Sequence, residues 1–88
     1  MTYSLVFRPQ AWEDYVYWQT HDRTQLKRVN RLIDDVVRHP FEGIGKPEQL
    51  KYGIKGGWSR RIDEEHRLVY QVDGDEVVVL QARYHYKS

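Results

Sequence analysis

The apolar residues of this 88-residue chain change their period part-way along, and the change limits its possible folds more than any other feature. From Pro9 to Thr20, Ala11, Trp12, Tyr15, Val16 and Trp18 recur at helical spacing. Pro9 suits a first helical turn, and Glu13 and Asp14 sit early, where the helix dipole favours acids. Asp22 can cap a second helix, with Gln25 three residues on. Leu26, Val29, Leu32, Ile33, Val36 and Val37 form its apolar stripe until Arg38-His39-Pro40 ends it. Two helices joined by a short turn make an antiparallel hairpin whose apolar face needs a partner.

The other segments read as strands, and they supply that partner. Thr2 to Phe7 alternates Tyr3, Leu5 and Phe7 against Ser4 and Val6. Trp58 to Asp63, Arg67 to Val72 and Val77 to Ala82 are strand-like, joined by Asp63-Glu64-Glu65-His66 and by Asp73-Gly74-Asp75. Between helices and strands, Phe41 to Gly57 is glycine-rich and aperiodic, a loop with a short extended piece expected around Glu48 to Leu50. The expected fold is α+β in the order β-α-α-β-β-β, a two-helix hairpin packed on one face of a mainly antiparallel twisted sheet. Residues 1–88 are read as a single domain.

With no cysteine, the chain has no disulfide staple, thiolate zinc site or cysteine nucleophile available. No stretch approaches the ~18 apolar residues of a membrane span, and Met1 to Phe7 lacks a basic start, so a cytoplasmic protein without a membrane partner is expected. Three Trp and seven Tyr point to an aromatic core. A net charge of +1 gives little overall attraction to a phosphate backbone, so any nucleic-acid binding must depend on local arrangement.

That arrangement lies in the strands. Alternation puts Trp58, Arg60 and Ile62 on one face and Ser59, Arg61 and Asp63 on the other. Leu68, Tyr70 and Val72 can pack on the helices, which turns Arg67, Val69 and Gln71 outward. Val77 to Leu80 is apolar on both parities, but beyond it Ala82 and Tyr84 oppose Gln81, Arg83 and His85. Arg61, Arg67 and His85 then share an open face, provided that each hairpin contains an odd-length loop or a bulge, because two-residue turns at both would bring opposite parities together. Glu48 stands nearby in Lys46-Pro47-Glu48, where Pro47 is expected to hold Lys46 extended.

Phosphodiester cleavage uses this mixture: a base for the ribose 2′-hydroxyl, an acid for the leaving 5′-oxygen, and fixed cations for charge developing on the phosphorus oxygens. Each residue also has an ordinary reading: a solvated loop Glu, arginines paired with acids, and surface lysines at Lys46, Lys51 and Lys55. His21 and His39 flank helix ends as caps or solvated side chains, and His66 suits an ion pair with Glu64 or Glu65. No histidine pair has metal-ligand spacing.

Four motifs in order carry a resemblance that runs nearly end to end: Pro-Phe-Glu-Gly-x-Gly-Lys-Pro-Glu at 40–48, Trp-Ser-Arg-Arg-Ile at 58–62, Glu-Glu-His-Arg-Leu-Val-Tyr at 64–70 and Arg-Tyr-His-Tyr at 83–86. With Trp-x-Asp-Tyr-x-Tyr-Trp at 12–18, the chain resembles the YoeB toxins of the RelE superfamily. The resemblance implies a RelE-like microbial ribonuclease fold and an endoribonuclease that cuts messenger RNA in the A site of the 70S ribosome. The reaction it implies uses no metal or other cofactor. By motif position, Glu48 resembles the general base, His85 the general acid and Arg67 the cation that stabilises the transition state. Arg61 and Lys51 stand beside the phosphate, Lys46 is taken with them as a phosphate contact, and Tyr86 helps to orient substrate or acid. The implied partners are a YefM-type antitoxin and a second copy in a homodimer. A ribosome-binding blocker that cuts nothing, an antitoxin-binding module and a purely structural domain remain as alternatives.

Overall fold

The structure, a computed structural model, describes residues 2–84. His85 and Tyr86, expected at the site, lie outside the described residues. The elements are β1 (Ser4–Phe7), α1 (Pro9–His21), α2 (Arg23–Arg38), β2 (Glu48–Gln49), β3 (Gly57–Arg61), β4 (Arg67–Asp73) and β5 (Glu76–Gln81). The five strands form one sheet in the order β1-β5-β4-β3-β2, antiparallel throughout except where β1 runs parallel to β5. The extended piece around Glu48 is thus a two-residue strand at one edge, and it adds a fifth strand to the four expected.

Pro9 opens α1 in the place where its missing N–H costs nothing. A single residue, Asp22, separates the helices and caps the second, its carboxylate accepting from the backbone N–H groups of Thr24 at 3.1 Å and Gln25 at 3.2 Å. Val29, Leu32 and Val36 of α2, with Ala11 and Trp18 of α1, bury against Leu68, Tyr70, Val77 and Val79 of the sheet. Each such side chain stabilises by roughly 1.5–3 kcal/mol through apolar burial, apart from Ala11, which has less to bury.

Two expectations on α1 are corrected. Trp12 was placed on the packed face but is 55% exposed; it meets Phe7 and Tyr15 at the outer side of the hairpin. Asp14, expected early in the helix where the dipole favours acids, stands beyond the first turn and is buried. It accepts the Ala82 N–H at 2.9 Å and the Gln10 amide at 2.9 Å. The cause is tertiary: β5 runs past the end of β1, and α1 supplies the partner that no strand provides there.

Both hairpins contain the irregularity that the parity reading required. Between β3 and β4 the pairing Arg61↔Arg67 and the bond from Ile62 N–H to His66 O leave an odd, three-residue turn at Asp63, Glu64 and Glu65. Between β4 and β5 a two-residue turn at Gly74-Asp75 gives Val72↔Val77, and a bulge then shifts the register so that Tyr70 opposes Val79 while Val69 opposes Gln81. Leu80 is the extra residue. It lets Val77, Val79 and Ala82 all face the helices while Gln81 turns to the other side.

Candidate functional site

The face of the sheet away from the helices carries a cross-strand row in which Glu48 of β2 is opposite Ser59, Ser59 opposite Val69, and Val69 opposite Gln81. About 7 Å further along the strands, Arg61 and Arg67 stand directly opposite each other. Directly paired residues project from the same side with Cβ atoms roughly 5 Å apart, so two guanidinium stems rise together here. Like charges in that relation repel. Among the described residues neither guanidinium has an acidic partner, and the Glu48 carboxylate, exposed at the sheet edge, has no hydrogen bond or ion pair. A pair of uncompensated cations beside a free carboxylate can receive an anion and, next to it, a proton.

The route to Glu48 is set by Arg60, which alternation puts on the helix-facing side and which is completely buried. All five of its N–H donors find acceptors. Nε donates to the Tyr70 hydroxyl at 3.1 Å. One terminal nitrogen donates to Asp35 at 2.5 Å and Ile44 O at 3.1 Å, the other to His39 O at 2.5 Å and Glu42 O at 2.9 Å. Tyr70 in turn donates to Pro40 O at 2.6 Å. Arg60 thereby holds the segment from His39 to Ile44 against the sheet. Gly43 must be glycine, since a Cβ there would lie 1.9 Å from an Asp35 carboxylate oxygen and the backbone has φ +129°. Sequence reading placed Arg60 beside Trp58 and Ile62 yet gave it no role. Its signal was there, because a charge on the apolar face of a strand requires a buried acid.

Beyond Gly45, whose carbonyl accepts the Arg61 N–H at 2.7 Å, Lys46 has φ +50°. The expectation of an extended Lys46 before Pro47 is therefore corrected. The bond to Arg61 makes the chain turn at Gly45-Lys46 to enter β2, overriding the local preference. Lys46 and Lys51 are both exposed on the segments flanking β2, within the same part of the molecule as Glu48. Arg83 is corrected too: its guanidinium lies 3.5 Å from the centre of the Tyr17 ring on α1, because strand alternation stops where β5 ends at Gln81. Among the described residues no group of three or more His, Cys, Asp or Glu side chains is placed to hold a metal ion.

The family described as "YoeB-like toxin of bacterial type II toxin-antitoxin system" matches residues 7–86. The chain belongs to this toxin family. It is 56% identical to Toxin YoeB of Streptomyces coelicolor over 82 residues, 93% of this chain and 98% of that one. The YoeB dimer from Staphylococcus aureus superposes with a TM-score of 0.87 at 45% identity, covering 98% of this chain and all of that one. A YoeB–YefM complex from the same organism gives 0.85 at 44% identity, covering 98% and 100%. The RelE-like fold expected from the motifs is the fold observed.

Two carboxylates of this YoeB-like chain brace the frame. At Asp35 burial works against the charge, but the Arg60 bond, the Ile44 N–H and nearby positive charge outweigh it and hold the carboxyl below its ordinary range. At Asp63 burial again opposes, and the His66 and Glu65 N–H groups, at 2.7 and 2.8 Å, outweigh it. Burial also pushes the Tyr70 phenol up, which keeps it a donor to Pro40. Both acids are more acidic folded than unfolded. Their stabilisation is therefore complete above the ordinary value of 3.8 and is lost as pH falls through the lower folded values. Urea midpoints should accordingly be flat near neutrality and fall below about pH 4. Asp63→Asn should flatten part of that fall, and parallel acid limbs for variant and wild type would remove Asp63 from the account.

His66 lies 3.8 Å from Glu65, one of the two acids expected beside it, but the expected ion pair is corrected, because one ring nitrogen serves as an acceptor. Its Nδ1 accepts the Tyr84 N–H at 2.8 Å.

Proposed function

We propose that this chain is a ribosome-dependent messenger-RNA endonuclease, the toxin half of a type II toxin–antitoxin pair. The observation that carries the reading is the sheet face that Glu48, Arg61 and Arg67 share, with carboxylate and guanidinium groups left unpaired among the described residues. In the A site of the 70S ribosome, the messenger's scissile phosphate sits over the two arginines. Glu48 takes the proton from the adjacent ribose 2′-hydroxyl, and the freed oxygen attacks phosphorus. Negative charge growing on the non-bridging oxygens is stabilised by Arg67, with Arg61, Lys51 and Lys46 holding the backbone. The P–O5′ bond breaks as His85 gives the 5′-oxygen a proton, while Tyr86 orients the substrate or the acid. The products are a 2′,3′-cyclic phosphate and a 5′-hydroxyl, and the protein's own side chains perform every step.

The same reading places the protein in the cytoplasm, as a homodimer neutralised by a YefM-type antitoxin whose acidic tail folds on binding. The solved S. aureus relatives, a YoeB dimer and a YoeB–YefM complex, support that assembly.

Primer extension on messenger from ribosomes treated with purified protein tests the proposal. New 5′ ends at codon positions are expected, and a single 2′-deoxy substitution at the cut should abolish them. Arrested translation with intact messenger would mean a steric blocker, and normal growth on expressing the chain alone would mean neither activity exists.

A further inference from the structure

Residues Ala82 to Tyr84, which lead to His85, are held by groups that the proposed reaction does not use. The last bond of β1 to β5 runs from Arg8 N–H to Val79 O at 3.0 Å. Beyond it Asp14 accepts the Ala82 N–H at 2.9 Å, and the Trp18 indole donates to Ala82 O at 2.8 Å. From β4, Arg67 N–H donates to Tyr84 O at 3.0 Å and His66 Nδ1 accepts Tyr84 N–H at 2.8 Å. Tyr84 has φ +61°, a left-handed backbone that a non-glycine residue keeps only when its surroundings impose it.

The imidazole is itself fixed. A ring nitrogen that accepts carries no proton, so the neutral ring's proton resides on Nε2, which lies 3.8 Å from the Glu65 carboxylate. The ring stands edge-on to Trp18 at 4.9 Å between centres. Trp18 thus holds Ala82 by hydrogen bond and His66 by packing, joining both attachments of the segment.

We propose that His66 is a positioning residue for the cleavage reaction. Through Nδ1 it imposes the left-handed turn at Tyr84, the residue that precedes His85 in sequence. This rests on the reading of His85 as general acid. The role requires an acceptor at Nδ1 and no catalytic proton from His66, so it separates variants that a packing role would leave alike. Asn offers a side-chain oxygen close to the Nδ1 position, whereas the longer Gln places its amide nearer Nε2, and both lose the ring's contact with Trp18.

The test is single-turnover cleavage of messenger on ribosomes by the full chain carrying His66→Ala, His66→Asn or His66→Gln. His66→Ala and His66→Gln should lower the maximal rate on the order of 100-fold with half-saturation within about twofold, the signature of a displaced reacting group. His66→Asn should recover most of the rate. Amide exchange at Tyr84 should stay slow in wild type and His66→Asn and become fast in the other two. Full activity in His66→Ala, or equal impairment in Asn and Gln, would overturn the proposal alone. A wild-type chain that cuts no messenger would overturn the function and the positioning role together.

Discussion

Glu48→Gln is expected to lower messenger cleavage by about 10²–10⁴-fold while leaving ribosome binding unchanged. The amide keeps the size and hydrogen-bonding outline of the carboxylate but cannot take a proton from the 2′-hydroxyl. Because Glu48 is exposed and has no partner among the described residues, the substitution should change stability by less than about 0.5 kcal/mol. Arg67→Ala belongs to the same prediction from the other side. It removes the cation proposed to face the phosphate, for an expected loss of about 10²–10³-fold, and relieves its repulsion with Arg61 across the β3–β4 pair. Its melting temperature should therefore hold or rise. Rate and stability moving in opposite directions marks a site kept for chemistry. Single-turnover cleavage with a ribosome-binding assay and a thermal melt measures all three quantities; wild-type rates in both variants would remove these residues from the reaction.

The second large effect concerns stability. Arg60→Met should destabilise the fold by about 3–5 kcal/mol, because it takes the cation from the Asp35 carboxylate, leaves the carbonyls of Glu42 and Ile44 without donors and leaves that of His39 with only the long Glu42 N–H bond. In a chain of this size that corresponds to a fall in Tm on the order of 15–30 °C. Adding Asp35→Leu should recover only part of the loss, since it removes the unpaired charge and not the unpaired carbonyls. A urea-denaturation cycle over the two singles and the double reads the coupling directly. If Arg60→Met alone cost less than about 1 kcal/mol, the Arg60 contacts would not be what holds the 39–44 segment in place. The same variant should impair cleavage even at low temperature, because the segment it releases leads into β2 and Glu48.

The shared face of the candidate site's arginines could be read from residue order because strand alternation is a local property. Once Leu68 and Tyr70 were turned toward the helices, Arg67 had to face the other way, and a three-residue turn placed Arg61 beside it. The parity reading requires an odd-length loop or a bulge without placing it, and the bulge at Leu80 is the one that keeps Gln81 from facing the helices. Trp12, Asp14, Lys46 and Arg83 went astray for one common reason. Each was assigned from its own element's period or neighbour, and each is placed by a contact outside its own element: Trp12 against Phe7, Asp14 on Ala82, Lys46 in the turn tied to Arg61, and Arg83 on Tyr17.

The order of residues alone determined the two helices, the cap at Asp22, the strand boundaries to within a residue or two and the shared face of Arg61 and Arg67. All of these follow from interactions between residues near in sequence or from the period of a single element. Only the tertiary structure decided that β1 joins β5 in parallel, that Arg60 lies inside with five acceptors, and that Asp14, Trp18 and His66 hold the segment before His85. Those depend on which polar groups meet once distant segments are packed. A buried donor or acceptor takes whatever partner the fold brings within reach, and local sequence carries no record of that choice.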